Sequence, residues 1–313
     1  MDETVIGVDV GGSNTRAMLA TLDGEVRAVA GAGAGNPVSV GAAEAARNVL
    51  DACFGVLENE PAAAVRAVAM GCAGGSASSE FGRLVLGGLA DAGVRGPVEL
   101  RPDLEAAFSS GTAEPDGYGL IAGTGATGGQ VKGNRLLRCV GGAGWLLGDE
   151  GGGFWLGREA VRAAVADTDG SGPTTKLTDQ IIGVLDCTRE RDPLLNAVYE
   201  RPPIWLASLA PIVTAAAVCG DPVSLSIVDN AARALALLLE SLHPETGQPV
   251  VLIGGVVSAG SPVADRLAVR LAAAGLVSTL VQSGAPGATW LALLEARPDA
   301  GADVHARLVA PRT

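Results

Sequence analysis

Gly7-Val-Asp-Val-Gly-Gly-Ser-Asn-Thr15 is the stretch on which the reading of this chain turns. It follows an apolar, strand-like run, Thr4 to Ile6, and leads into a second, Arg16-Ala-Met-Leu-Ala-Thr-Leu22. Asp23-Gly24 is then a two-residue hairpin signal, with a third strand beginning at Glu25. Glycines at such a turn let backbone N–H groups approach an anion, because no Cβ stands in the way. An acidic residue beside it, Asp9, suits a metal that travels with phosphate, since Mg²⁺ is usually held by one or two carboxylates plus substrate oxygens. An ordinary hairpin opening a globular domain fits the same residues, so this stretch alone leaves both readings open.

A second copy separates them. Tyr118-Gly-Leu-Ile-Ala122 is again an apolar strand, followed by Gly123-Thr-Gly-Ala-Thr-Gly-Gly129, then Gln130-Val-Lys132, a Gly133-Asn134 turn and a strand from Arg135 to Val140. Strand, glycine loop, strand, tight turn, strand thus occurs at the start of each half, the mark of an internal duplication. No Gly-x-x-x-x-Gly-Lys-Ser/Thr string is present, and Lys132 and Lys176 are the only lysines, which sets aside the strand-to-helix phosphate loop.

At 313 residues the chain is long enough for two domains with full cores. With 48% hydrophobic and 18% charged residues it reads as a compact α/β protein; only 3% are aromatic, so the core is built from Ala, Val and Leu. A net charge of -12 argues against nucleic-acid binding through a basic surface. Cys53, Cys72, Cys139, Cys187 and Cys219 are scattered, without a Cys-x-x-Cys pair, and indicate neither a disulfide framework nor a metal cluster. The acidic start, Met1-Asp2-Glu3, is unlike a signal peptide, and no apolar run reaches the ~18 residues of a membrane span. The expectation is a cytoplasmic protein that binds neither nucleic acid nor membrane.

Between the hairpins, Asn36-Pro37 signals a turn, and Val38 to Glu58 reads as one helix with Val40, Ala43, Ala46, Val49, Leu50 and Cys53 on its inner face. Val65 to Met70 is a strand running into Gly71-Cys-Ala-Gly-Gly75, and Ser78 or Ser79 suits the cap of the next helix. Val98-Glu-Leu100 is a short strand, and Asp103 sits where it turns into a helix over Leu104 to Ser110. Open α/β sheets place their ligands at such turns; a plain helix cap is the other reading of Asp103. In the second half, more than half of Gly141 to Gly153 is glycine, before a helix from Phe154 to Ala166. That composition is costly unless the backbone bends sharply or approaches a ligand. With Trp145 and Trp155 around it, and Asp149 and Glu150 inside it, the stretch reads as part of a site. Long helices follow over Ile204 to Val218 and Pro222 to Leu242. Pro249 to Ile253 is a buried strand ending in Gly254-Gly255, bare backbone against which a flat ring such as adenine fits. A last strand near Ser278 to Gln282 and a closing helix from Pro286 to Ala296 complete the reading, with His243 and His305 facing solvent.

The order of these motifs resembles the N-acetylglucosamine kinase branch of the BadF/BadG/BcrA/BcrD ATPase family, in the actin-like ATPase and sugar kinase superfamily. The resemblance runs from Val8 to about Ala296. Its most specific element is Gly144-Trp-Leu-Leu-Gly-Asp-Glu-Gly-Gly-Gly-Phe-Trp-Leu-Gly157, joined by Asp9-Val-Gly-Gly-Ser-Asn-Thr15, Ala122-Gly-Thr-Gly125 and Leu252-Ile-Gly-Gly255. It implies an α/β, two-domain actin-like ATPase (ribonuclease H-like) fold, with duplicated β-hairpin phosphate loops and a cleft between domains. The expected domains are residues 1–111 and 112–285, with a closing helix over about 286–313 packing back on the first. Also implied is an ATP-dependent kinase of the N-acetylglucosamine 6-hydroxyl, using Mg²⁺ and working as a homodimer, with glucosamine or another amino sugar as the alternative acceptor.

Carried over by position, Gly11, Gly12, Ser13, Asn14 and Thr15, together with Gly123, Thr124 and Gly125, hold the ATP phosphates. Gly254 and Gly255 lie at the adenosine, Asp9 anchors Mg²⁺ through water, and Asp103 is the general base. Asn36, Gly74, Asp103, Thr124, Thr127, Gly144 and Asp149 match positions that contact the sugar. Two departures fall in the sugar pocket: Ala73 stands where related kinases have serine, and Thr127 where this branch often has asparagine. Two other classes share the superfamily. An activator ATPase holds an iron–sulfur cluster through cysteines at the heads of helices, and no cysteine pair here fits that pattern. A sugar-sensing regulator carries a DNA-binding helical extension, and none precedes Val5.

Overall fold

A computed structural model describes residues 2–72 and 79–310 of the chain. The first half opens with β1 (Thr4–Val10), β2 (Thr15–Thr21) and β3 (Val26–Ala32). Next come the short α1 (Pro37–Val40), α2 (Ala42–Leu57), β4 (Val65–Cys72), α3 (Glu80–Asp91), β5 (Val98–Arg101) and α4 (Asp103–Gly111). β1 pairs antiparallel with β2 and parallel with β4, giving a sheet ordered β3-β2-β1-β4-β5. The second half repeats this with β6 (Gly117–Ala122), β7 (Ala126–Lys132) and β8 (Arg135–Gly141), then α5 (Gly153–Thr168), α6 (Lys176–Leu185) and α7 (Arg191–Tyr199). It continues through α8 (Ala210–Val218), α9 (Pro222–Glu240), β9 (Val250–Ile253), α10 (Pro262–Ala273) and β10 (Ser278–Val281). α11 (Ala285–Ala296) and α12 (Ala302–Val309) close the chain. The second sheet is ordered β10-β9-β6-β7-β8, the same strand order read from the other edge. The duplication seen in the sequence is therefore a duplication of topology.

The chain forms two compact units. The first comprises Met1–Gly119, Gln130–Leu137 and Val281–Thr313; the second comprises Leu120–Gly129 and Arg138–Leu280. Strand alternation builds the first unit's core on both faces of its sheet. Ile6, Val8 and Val10 of β1 pack with Val49, Cys53 and Val56 of α2 and with Phe81 and Val85 of α3. On the opposite face Val5 packs with Ala67, Ala69, Trp290, Leu291 and Leu293. That second face is unusually close. A Cβ added to Gly7 would lie 2.0 Å from the Thr289 nitrogen, and one on Gly287 would lie 2.0 Å from the Ala106 carbonyl oxygen. Bare glycines thus let α11 lie directly on β1 and α4. Since Asp9 alternates in step with Val5 and Gly7, it points to the same face.

Local chemistry moved several expected boundaries. The single helix expected over residues 38–58 is two, because Gly41 takes φ 84°, the left-handed side that breaks an α-helix. Asn36 caps the first piece, its Oδ1 accepting from the Val38 N–H at 2.8 Å. The inner face of α2 is Ala45, Ala46, Val49, Ala52, Cys53 and Val56, while Ala43 is exposed. The helix expected from Ile204 begins as a 3-10 turn over Pro203–Leu209, and the α-helix proper starts at Ala210. Ser79 caps α3, its Oγ accepting from the Gly82 N–H. α9 is, by length and composition, apolar enough to cross a membrane, though Asp229, Asn230 and Arg233 interrupt any continuous apolar run; its apolar stripe, Ile227, Val228, Ala231, Leu235 and Leu239, is buried within the protein. His305, expected at the surface, is buried on α12. Its Nε2 donates to the Ser109 carbonyl at 2.8 Å, and its ring stands edge-on to Trp290.

Candidate active site

In the first unit the glycine loop between β1 and β2 is closed by its own backbone. Gly11 N–H donates to the Asn14 carbonyl at 3.0 Å, and the Gly11 carbonyl accepts from the Gly35 and Asn36 N–H groups at 3.0 and 3.2 Å. Gly12, Ser13 and Asn14 are exposed, with Gly11 half-buried. Thr15 is fully buried; among the described residues its hydroxyl makes no hydrogen bond, and a Cβ on Gly35 would sit 2.3 Å from that oxygen. Its side chain therefore packs closely beneath the Gly35 turn. The same backbone bonds bring Asn36 beside this loop.

Asp9 is held by the start of α11, a contact with no expectation behind it in the sequence. Its Oδ2 accepts from the Gly284 N–H at 2.7 Å and from the Ser283 hydroxyl at 3.1 Å, a favourable place for an anion at a helix N-terminus. Among the described residues Oδ1 accepts no hydrogen bond. A half-buried carboxylate with one oxygen fixed and the other free fits a residue that anchors a divalent cation through water.

Asp103 opens α4. The helix cap position is Pro102, and the Asp103 Oδ1 accepts from the Leu104 N–H at 2.9 Å. Burial pushes its pKa up, the Leu104 N–H pulls it partly back, and the negative charge of Asp9 raises it further. The carboxylate is thus more basic than an ordinary aspartate and has a second acidic group in its field. Gly71 makes this possible, since a Cβ there would lie 2.5 Å from the Ala106 Cβ and 3.4 Å from the Asp103 Cα. The two carboxylates are brought together by β1, β4, α4 and α11, all within one unit.

In the second unit the loop Gly123-Thr124-Gly125 is braced by α5. The Gly153 and Phe154 N–H groups donate to the Gly123 and Thr124 carbonyls at 2.8 and 2.9 Å. Those helix-end donors are used to hold the loop. Asp149, at φ 64°, lies against the loop: its Oδ1 accepts from the Ala126 N–H at 3.3 Å, and a Cβ on Gly125 would fall 2.6 Å from the carboxylate. Burial raises the Asp149 pKa, with Glu150 adding to the effect and the Ala126 N–H opposing it. Gly254, at φ 116°, approaches the same loop from β9, where a Cβ would lie 2.3 Å from the Ala122 carbonyl oxygen. A Cβ on Gly255 or Gly123 would meet nothing within 4 Å, so bare backbone faces open space at both, room that suits a nucleotide. Thr124 is exposed.

Thr127 spends its hydroxyl proton within the β7–β8 pair, where it lies 3.2 Å from the Val140 carbonyl and 3.2 Å from Cys139 Sγ; its lone pairs alone are left for a ligand. Gly144, at φ 81°, starts the turn that carries Trp145, whose ring packs 5.5 Å from Phe154. Gly74 and Ala73 lie outside the described residues.

The duplicated sheets and paired glycine loops define the fold as that of an actin-like ATPase. The profile of the BadF/BadG/BcrA/BcrD ATPase family matches residues 6–268, and the chain belongs to that family. Among its relatives is the N-acetylmuramic acid/N-acetylglucosamine kinase of Clostridium acetobutylicum, 30% identical over 76% of this chain and 78% of that one. The glucosamine kinase of Vibrio cholerae is 26% identical over 80% of this chain and 84% of its own length. The crystal structure of a candidate N-acetylglucosamine kinase from Chromobacterium violaceum superposes with a TM-score of 0.75 at 26% identity, covering 93% of this chain and 99% of that one.

Proposed function

We propose that the protein is an ATP-dependent hexosamine kinase that transfers the γ-phosphoryl group to the 6-hydroxyl of N-acetylglucosamine, with Asp103 as general base. The observation that carries the reading is the pairing of Asp103 with Asp9 on adjoining elements of one unit, beside an exposed glycine loop. Asp103 takes the hydroxyl proton as the sugar oxygen forms its bond to phosphorus; the bond to the β-phosphate oxygen breaks, and ADP leaves. Because the transition state is loose, positioning and charge neutralisation supply most of the rate and the base a smaller part.

Gly11 to Asn14 and Gly123 to Gly125 are assigned to the phosphates and Gly254–Gly255 to the adenosine. Thr15 supports the first loop from beneath. Mg²⁺, when bound at Asp9 through water, supplies neutralising charge to the phosphate oxygens. Asn36, Thr124, Thr127, Gly144 and Asp149 are assigned to the sugar, and Asp149 is suited to it as a half-buried carboxylate whose one described hydrogen bond is long. The names of the relatives favour an amino sugar, and the alternative acceptor is glucosamine. The reading extends to a cytoplasmic homodimer, which gel filtration and cell fractionation test. The function itself is tested by incubating protein, Mg-ATP and N-acetylglucosamine and locating the phosphate by phosphorus–proton coupling. Coupling to the two C6 protons supports the reading, and phosphate on another oxygen or none on sugar contradicts it.

A further inference from the structure

Asp103 lies between two buried charges that the reaction does not use. Arg101 ends β5 and Glu105 lies in the first turn of α4; their side chains are 6% and 4% exposed and meet at 2.6 Å between Nε and Oε2. Arg101 also reaches the turn joining β7 and β8, and Glu105 the first residues of β8. The Arg101 Nη2 donates to the Asn134 carbonyl at 2.5 Å, and the Leu136 N–H donates to Glu105 Oε1 at 2.8 Å. The turn is clasped further by the Asn134 N–H to the Pro115 carbonyl and the Gly133 N–H to Asp116 Oδ1. All of these residues belong to the first unit.

Stability does not account for such a pair. Withdrawing two charges from water costs several kcal/mol per ion, and apolar residues of similar volume often do as well or better. What apolar residues cannot do is bond two backbone groups of a neighbouring hairpin. Arg101 and Glu105 do so from either side of Asp103, at positions minus two and plus two. We infer that Arg101 and Glu105 are positioning residues for Asp103, locking the corner between β5 and α4 onto the β7–β8 turn so that the base holds one direction. The inference rests on the reading of Asp103 as the base.

The test is the double variant Arg101→Met/Glu105→Leu, which removes the pair as a unit and keeps its volume. A shift of about 1 Å in a reacting group costs up to about 100-fold in rate. Turnover is expected to fall about 10- to 100-fold, with the KM values for ATP and sugar within about twofold of wild type. Backbone hydrogen exchange over residues 102–108 is expected to speed up. Arg135→Ala, which removes the exposed pair between the start of β8 and Glu99 while leaving Glu99 near Arg101 at 3.9 Å and the Arg101–Glu105 pair in place, is expected to turn over like wild type. A double variant with wild-type turnover, or one that loses turnover only in proportion to its unfolded fraction, overturns the inference. Should it fail to fold, Arg101→Lys keeps the charge but loses the fork's second donor; a roughly tenfold loss of turnover supports the inference and an unchanged rate overturns it. If the wild type itself shows no sugar-stimulated turnover, the kinase reading fails first. The exchange measurement then decides alone: unchanged protection over 102–108 refutes the positioning role.

Discussion

Gly254→Ala puts the second loop's geometry to the test. A methyl carbon and a carbonyl oxygen settle at about 3.3 Å or more, whereas the new Cβ would lie 2.3 Å from the Ala122 oxygen and 2.9 Å from the Gly123 nitrogen. Both are backbone atoms, so neither can swing aside, and the loop must move by about 1 Å. The position is also at φ 116°, where an L residue is strained by about 1–3 kcal/mol, and overpacking adds about 1–3 kcal/mol. Together these give a loss of about 2–6 kcal/mol, which lowers the melting temperature by roughly 3–9 °C in a chain of this size. The KM for ATP rises at least about tenfold, because Gly123 begins the loop assigned to the phosphates. Gly255→Ala is the control: its Cβ meets nothing within 4 Å, so it melts like wild type while the methyl takes space assigned to adenosine and raises the KM for ATP. The assays are thermal melts and ADP release at varied ATP. A Gly254→Ala protein with wild-type melting and wild-type KM for ATP would refute the reasoning.

Three more outcomes follow from the carboxylates. Asp103→Asn lowers turnover by about 10²–10⁴-fold with both KM values retained. Because burial and Asp9 raise the folded pKa of Asp103, the native state holds its proton more tightly and stability falls as pH rises from the unfolded pKa to the folded one. Asp103→Asn should therefore melt higher than wild type at neutral pH, an advantage that disappears below about pH 4. Asp9→Asn removes a charge that raises the Asp103 pKa, so the acid limb of kcat/KM moves to lower pH while the Mg²⁺ needed for half-maximal rate rises; a limb that stays in place argues against the pairing. Asp221 is a structural counterpart: it accepts from Thr175 Oγ1, the Lys176 N–H, and the Ser224 N–H and Oγ at 2.9, 3.1, 2.8 and 2.7 Å. Burial acts to raise its pKa, but these bonds outweigh it and hold the group low. Asp221→Ala should cost at least about 3 kcal/mol near neutral pH, with wild-type and variant melts converging as pH falls through the carboxylate range and turnover unaffected.

The architecture was legible because its signals are local and repeated. Both hairpins, the Asp103 corner and the Gly254–Gly255 strand end stand out through glycine placement and apolar runs. What escaped depends on contacts between segments far apart in sequence. Nothing near Asp9 announces that Ser283 and Gly284 hold it, since the link spans most of the chain. Nothing near Thr15 announces that its hydroxyl is buried against the Gly35 turn. Arg101 and Glu105 carry no signal of their own in the sequence, and only their contacts with the β7–β8 hairpin give them a task. Gly41 was visible, but a 3.6-residue apolar period runs through it and hides the break. His305 looked like a tail residue because α12 has no strong start signal of its own; the amphipathic face that buries it shows only against α4 and α11.

The most direct measurement is ADP release from Mg-ATP by wild type and Asp103→Asn, with N-acetylglucosamine, glucosamine, N-acetylmuramic acid, glucose or no sugar. The account predicts strong stimulation of wild type by one amino sugar and a loss of about 10²–10⁴-fold in the variant, with sugar binding by calorimetry preserved. ADP release that no sugar increases, or a variant that turns over like wild type, would contradict it.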